Sequence, residues 1–271
     1  LVTYNQAPTV IKHLAIIREH SYRRAATGSG RASDLDRFDM FYNHLVLWSD
    51  RANDIIGGYR VYGPFDNESY KQAYAFGAVY IGEEMKKRLG QTLELGRSFI
   101  QPKYQKTRSL HNLFCAIGNY IRLYQPSVRY LYGAVSMSRN LPEEAQFYIY
   151  AFYRYYYGAG KNYLSSGVSY VKELVALKSD RLTITDNECE YYQELASNSY
   201  DENLKLLKAR LNKFNCDIPS LFKYYTQVFG RNGIVFSDFA VDEIVNTIDG
   251  IIIADLDTLP EKLKKLYGAI V

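Results

Sequence analysis

A mixed α/β domain is the fold the sequence predicts, and three observations predict it. Residues 44–48 and 55–62 are apolar runs flanking the turn-like stretch 49–53, the pattern of an antiparallel hairpin. Residues 92–138 run strand, polar loop, helix, strand, a crossover unit whose loop leaves the carboxyl end of a strand, the edge where α/β sheets bind ligands. Two more strand-like runs, 233–241 and 248–255, precede a closing helix at 259–267.

The first element is a helix over 9–24, where Ile11, Leu14, Ala15 and Ile17 fall near helical spacing until Gly28-Ser29-Gly30 breaks the pattern. The acidic, aromatic stretch Asp34-Leu-Asp-Arg-Phe-Asp39 leads into the hairpin. A helix is expected over 69–89, weakened by Gly77 and Gly82. The strand 92–100 enters the loop 101–108, a helix follows over 109–124, and Pro126 marks its stop. After the strand 129–138 comes a helix beginning past Pro142. Residues 158–230 are charged and helical, with 202–214 the plainest amphipathic piece. The expected organisation is a core over 1–157, a helical elaboration over 158–230, and a segment 231–271 that completes the same domain.

Of 271 residues, 47% are hydrophobic, 23% charged and 27 are tyrosine, which is globular and rich in flat side chains with polar tips. A net charge of +4 is too small for a dedicated nucleic-acid binder. Three widely spaced cysteines make neither a metal motif nor a disulfide framework, so a cytoplasmic setting is expected. No stretch approaches the roughly 18 apolar residues of a membrane span. The chain starts at Leu1, read as the loss of upstream residues. There is no G-x-S-x-G and no H-E-x-x-H, and Gly28-x-Gly30 lacks the third glycine of a dinucleotide fingerprint.

Glu94 and Arg97 stand out on the 92–100 strand. At i and i+3 they face opposite sides of an ideal strand, and a bulge at Gly96 would turn both towards one cleft. A plain sheet ion pair is the competing reading.

With Ser21-Tyr-Arg, Asp34-Leu-Asp-Arg-Phe-Asp39, Ile56-Gly-Gly-Tyr-Arg60, Glu94-Leu-Gly-Arg97-Ser-Phe and Arg129-Tyr-Leu-Tyr-Gly-Ala-Val-Ser136 in this order, the chain resembles the ornithine- and glycine-lipid N-acyltransferases, often labelled haemolysin-like. They form an acyl-carrier-protein-dependent branch of the GNAT (N-acetyltransferase-like) fold. More distantly it resembles acyl-homoserine-lactone synthases, whose arginine and aromatic match Arg18 and Tyr22, whose aspartates match Asp36 and Asp39, and whose later motifs match Arg60 and Glu94-x-x-Arg97. The resemblance implies a twisted mixed sheet flanked by helices. It implies transfer of a long-chain, 3-hydroxy fatty acyl group from acyl carrier protein to glycine or ornithine, in bacterial aminolipid synthesis. CoA-dependent N-acetyl or N-acyl transfer is the alternative, and a non-catalytic carrier- or lipid-binding module is another.

One departure bears on the donor. Where CoA-using relatives carry a glycine-rich loop for the pyrophosphate, this chain has Gln105-Lys-Thr-Arg108-Ser-Leu110. A phosphopantetheine with its single phosphodiester suits the side chains of Lys106 and Arg108 better than a CoA pyrophosphate does.

The expected roles are those the resemblance implies, read with the chemistry of amide formation. Glu94 serves as general base with Arg97 beside it; Asp36, Asp39, Arg60, Arg18 and Tyr22 hold the acceptor or order its loop. Ser98, Phe99 and Ile100 lie where backbone N–H groups would meet the donor carbonyl, and Lys103, Lys106, Arg108 and Ser136 complete the donor side. No metal and no permanently bound cofactor is expected; acyl-phosphopantetheine, or acyl-CoA, is the donor. The partners are acyl carrier protein, a small amino acid and the inner face of the membrane as a peripheral contact, with no nucleic acid.

Overall fold

The computed structural model describes residues 1–77, 79–158, 175–177, 185–243 and 245–267. Much of the expected helical elaboration, residues 159–174 and 178–184, lies outside the described residues. Contacts divide the chain into two units. The first takes Leu1–Gly77, Lys86–Gly133 and the chain from Leu259; the second takes the short stretch ahead of Lys86 and Ala134–Thr258.

In the first unit, α1 (Pro8–Arg24) starts with proline in its first turn, where the missing N–H costs nothing. It buries Ile11, Leu14, Ala15 and Arg18, a stripe at helical spacing. Ile11 and Leu14 pack with Ile55 and Phe99 of the sheet. The hairpin forms as expected from β1 (Asn43–Ser49) and β2 (Asp54–Tyr62), antiparallel. β2 pairs antiparallel with β4 (Thr92–Ile100), and β4 pairs parallel with β5 (Tyr130–Ser138), so the sheet is mixed. The parallel register runs from Thr92↔Tyr130 to Glu94↔Tyr132. At the next position Gly133 passes so near that a Cβ there would stand 2.3 Å from the Leu95 carbonyl oxygen. The crossover helix α4 (Ser109–Tyr124) buries Leu113, Phe114, Ile117 and Ile121.

The expected helix over 69–89 is instead broken into pieces. A 3-10 turn at Ser69–Gln72 leads to the four-residue α2 (Tyr74–Gly77), strand β3 (Val79–Ile81) and the short α3 (Glu83–Lys86). Gly77 and Gly82 mark the breaks, and the backbone of Tyr74 and Ala75 is claimed by side chains of other elements.

In the second unit, β3 pairs with β6 (Val175–Leu177), and β7 (Ile234–Asp242) pairs antiparallel with β8 (Thr247–Asp255), which lies next to β5. The tyrosine-rich α5 (Glu143–Tyr157) packs a core rather than a surface. Tyr153, Tyr156 and Tyr157 are buried, and the Tyr153 ring lies 5.1 Å from Phe222 and 5.2 Å from Phe236. Helices α6 (Asp186–Ala196), α7 (Tyr200–Lys213) and α8 (Ser220–Gly233) follow, with α7 opened by a Ser199–Glu202 capping box. The buried Glu188 of α6 accepts from Arg154 of α5 at 2.8 Å. Among the described residues no helix is long and apolar enough to cross a membrane.

The closing helix α9 (Glu261–Tyr267) returns to the first unit and crosses α4 at Gly118, where a Cβ would sit 1.5 Å from the Tyr267 carbonyl oxygen. Gly118→Ala gains about 0.8–1 kcal/mol of helix propensity in isolation. The clash should outweigh that gain, giving a net loss of about 1–3 kcal/mol in urea unfolding. A more stable variant would show that the two helices do not meet there.

Candidate active site

The acidic stretch acquires its shape from turn chemistry. Asp36 caps a 3-10 turn at Arg37–Met40, its Oδ1 accepting from the N–H groups of Phe38 and Asp39 at 2.8 and 3.2 Å. Asp39 Oδ2 in return accepts from the Asp36 N–H at 2.9 Å. Three arginines from three elements converge on these carboxylates. Arg18 of α1 donates through Nε to Asp34 at 2.7 Å, and through Nη1 and Nη2 to Asp39 at 3.1 and 2.9 Å. Arg60 of β2 reaches Asp36 at 2.7 Å and Asp39 at 3.2 Å. Arg97 of β4 lies 3.4 Å from Asp36 and 3.6 Å from Asp34.

Three positive and three negative groups thus balance in a site where Arg18, Arg60, Asp34 and Asp39 are buried. Burial works to raise the Asp39 carboxyl, but Arg18 and Arg60 hold it down to about 2. Arg18 and Asp39 are buried, and their polar atoms are engaged in ion pairs and hydrogen bonds within the cluster. Asp36 and Arg97, 18% and 17% exposed, are the members within reach of solvent. Tyr22 is half-buried against the Ile11–Phe99 core cluster.

The strand irregularity exists, one residue beyond Gly96. Arg60 pairs with Gly96 and Gly58 with Phe99, so Arg97 and Ser98 together face the single residue Tyr59. Arg97 adopts φ +51°, the left-handed conformation that opens such a bulge. The extra residue cancels the i, i+3 alternation, bringing Arg97 to the aspartates and Glu94 to the same corner of the fold.

Glu94 does not pair with Arg97. It is 1% exposed, and its Oε1 accepts from the Tyr42 hydroxyl at 3.0 Å and the Ala75 N–H at 3.2 Å, while Oε2 has no hydrogen-bond partner. Burial pushes its carboxyl up to about 7, against those two hydrogen bonds and the charge of Arg60. A carboxylate poised near neutrality with one free oxygen can take or give a proton at working pH.

The donor-side residues are spread along β4 and the following loop. The Phe99 side chain is core, so only its backbone faces a donor; Ser98 and Ile100 are half-buried. Lys103 is tied to Asp54 at 2.6 Å, beside Tyr104, which donates to the same carboxylate at 2.8 Å. These bonds hold the half-buried Asp54 carboxyl down to about 2 and anchor the loop to the start of β2. Lys106, at φ +62°, and Arg108, just ahead of α4, are exposed. Ser136 is an exposed position between buried Val135 and Met137.

Sequence reasoning missed Asp34 as a site member, as well as Tyr42, His44, Tyr74 and Ala75. Asp34 was legible as the first acid of the Asp34–Asp39 stretch. Tyr42 and Ala75 reach Glu94 across 52 and 19 residues of chain, and nothing local marks them. His44 is buried with its Nε2 3.4 Å from the Asp39 carbonyl oxygen; burial lowers its pKa to about 4, so it is neutral at pH 7.

The Acetyltransferase (GNAT) domain profile matches residues 17–114, which include Arg18, the Asp34–Asp39 stretch, Arg60, Glu94 and Arg97 and stop short of Ser136. The chain is 30% identical over 241 residues to the glycine N(alpha)-acyltransferase of Phocaeicola vulgatus, covering 83% of this chain and 70% of that protein. The glycine N(alpha)-acyltransferase of Bacteroides thetaiotaomicron is 28% identical, over 83% of this chain and 67% of its own. An L-ornithine N(alpha)-acyltransferase from Brucella abortus is 25% identical over about half of each, 51% and 50%.

Proposed function

The chain belongs to the glycine N(alpha)-acyltransferase family, and on that premise we propose that it moves a long-chain 3-hydroxyacyl group from acyl-phosphopantetheine on an acyl carrier protein to the amine of glycine. It is an enzyme, an acyltransferase that forms amides on amino acids. The observation that carries the reading is Glu94: sealed from water, raised to about 7 and left with one unpartnered oxygen.

Glycine arrives as an ammonium ion, so its nitrogen sheds two protons. Glu94 takes the first on its unpartnered Oε2, which frees the lone pair to attack the thioester carbon. The C–N bond forms, the C–S bond breaks, and the second proton ends on the departing sulfur as a thiol. Arg97, partly exposed and with a buried Nε lacking a hydrogen-bond partner, binds the glycine carboxylate. Backbone N–H groups at the bulge and beyond it, Ser98 to Ile100, stabilise the oxyanion.

Two features favour glycine and the carrier. Ornithine brings a second ammonium that needs a free carboxylate, and Asp34, Asp36 and Asp39 are each engaged by arginine. On the donor loop Thr107 Oγ1 already takes the Ser109 N–H at 3.2 Å. That leaves fewer amides for a pyrophosphate, while Lys106 and Arg108 offer two cations to one phosphodiester. The product, a fatty amide with a free carboxylate, suits release at the inner face of a membrane.

The test is direct incubation with 3-hydroxyacyl carrier protein or the matching acyl-CoA, and glycine or ornithine, read by mass spectrometry. N-acylglycine from the carrier arm is the expected product. Product from the CoA arm alone overturns the donor, N-acylornithine alone overturns the acceptor, and no product in any arm reduces the protein to a binding module.

A further inference from the structure

The corner around Glu94 contains a second ordered device. The Tyr42 hydroxyl donates to Glu94 Oε1 at 3.0 Å and accepts from the Tyr74 N–H at 2.8 Å, so its direction is fixed at both ends. The Ala75 N–H fills a second site on the same Oε1 at 3.2 Å. Tyr132 holds the Ala75 carbonyl at 3.1 Å, and its ring lies 4.2 Å from Phe76, stacked at 12°. Short helix α2 is thereby fastened by the side chains of Tyr42, Glu94 and Tyr132. The other oxygen, Oε2, has no hydrogen-bond partner.

We infer that Tyr42 is a positioning residue of the acyl transfer: it pins Oε1 and leaves Oε2 as the oxygen of Glu94 that accepts the proton of the incoming amine. The inference rests on Glu94 being the base. The groups facing that carboxylate are Tyr42 from the turn before β1, Arg60 and Tyr62 from β2, the Tyr74 and Ala75 region of α2, and Tyr132 from β5. Within this set Tyr42 is the one side chain that hydrogen-bonds Glu94 directly. Its hydroxyl favours the charged carboxylate, so its removal should make Glu94 harder to ionise.

Tyr42→Phe keeps the ring, which stacks on Tyr62 at 4.7 Å and lies under the Arg60 guanidinium at 4.8 Å. The acid limb of its pH–kcat profile should move up by about one unit, the worth of one hydrogen bond to a charged group. That means a loss of roughly tenfold near pH 6 and near-normal turnover near pH 9. A merely structural contribution would instead lower kcat evenly at all pH values. Incorporating 3-fluorotyrosine at position 42 keeps both bonds with a stronger donor and should move the limb the opposite way, which covers a failure of the phenylalanine variant to fold. An acid limb that stays in place in the variants that fold overturns the inference. Glu94→Gln separates the two claims. Normal turnover in Glu94→Gln overturns the base assignment itself, whereas an inactive Glu94→Gln beside an unmoved limb overturns only the role of Tyr42.

Discussion

Glu94→Gln should cut kcat by roughly 10²- to 10⁴-fold, the usual contribution of a positioned base, and at the same time make the folded protein more stable at pH 8. The two effects share a cause. The folded protein binds the Glu94 proton more tightly than the unfolded chain does, because its pKa stands at about 7 against an ordinary 4.5. Folding is therefore favoured by this group at low pH. That advantage is lost as pH rises from about 4.5 through 7, where the native state must ionise a buried carboxyl. Above pH 8 the wild type carries a penalty on the order of 1–3 kcal/mol. Glutamine is neutral at every pH, keeps an oxygen for Tyr42 and Ala75, and escapes it. Thermal melts should separate above pH 7, with the variant higher, and converge below pH 5. Equal melting curves at pH 8 would mean the carboxyl is solvated in solution, and the base assignment would lose its physical ground.

That trade of stability for reactivity is partly visible in the sequence, and where it is not the reason is distance along the chain. The strand 92–100 and the helix 109–124 are marked by local signals, alternation, a polar loop and a proline stop, and they form over those residues. Glu94 and Arg97 attract notice for the same reason, since two charges inside an apolar strand need partners. Their partners are another matter. The bulge that reorients Arg97 sits one residue past the glycine that suggests it, because Arg97 itself takes the left-handed conformation and its strain is offset by contacts to Asp34 and Asp36. Residues 69–89 have enough helical character to read as one helix. The Tyr74 and Ala75 N–H groups donate to Tyr42 and Glu94, Tyr132 donates to the Ala75 carbonyl, and these bonds override that local preference. Local propensity is worth tenths of a kcal/mol per residue, whereas leaving a buried Glu94 unsatisfied costs several times as much.

The same reasoning gives the largest expected loss of stability to Asp39→Ala. This carboxylate is fully buried and receives Arg18 through two N–H groups, Arg60 through one, and the Asp36 N–H. Removing it leaves two guanidiniums inside the protein with two aspartates between three arginines. Breaking a buried pair from one side costs about 3–5 kcal/mol, a large part of the stability of a typical domain. Chemical denaturation should therefore show a midpoint drop about twice that of Gly118→Ala, with the loss of activity following the loss of fold. The pH dependence identifies the cause. In the wild type the Asp39 carboxyl is held at about 2, below its ordinary 3.8, so its contribution is complete above about pH 4 and disappears as pH falls through 2. The variant has no such contribution to lose, and the stability gap between the two proteins should narrow on acidification. A gap that is unchanged down to pH 2 would mean that Asp39 acts by filling space, and that the ion network contributes nothing specific to holding the site.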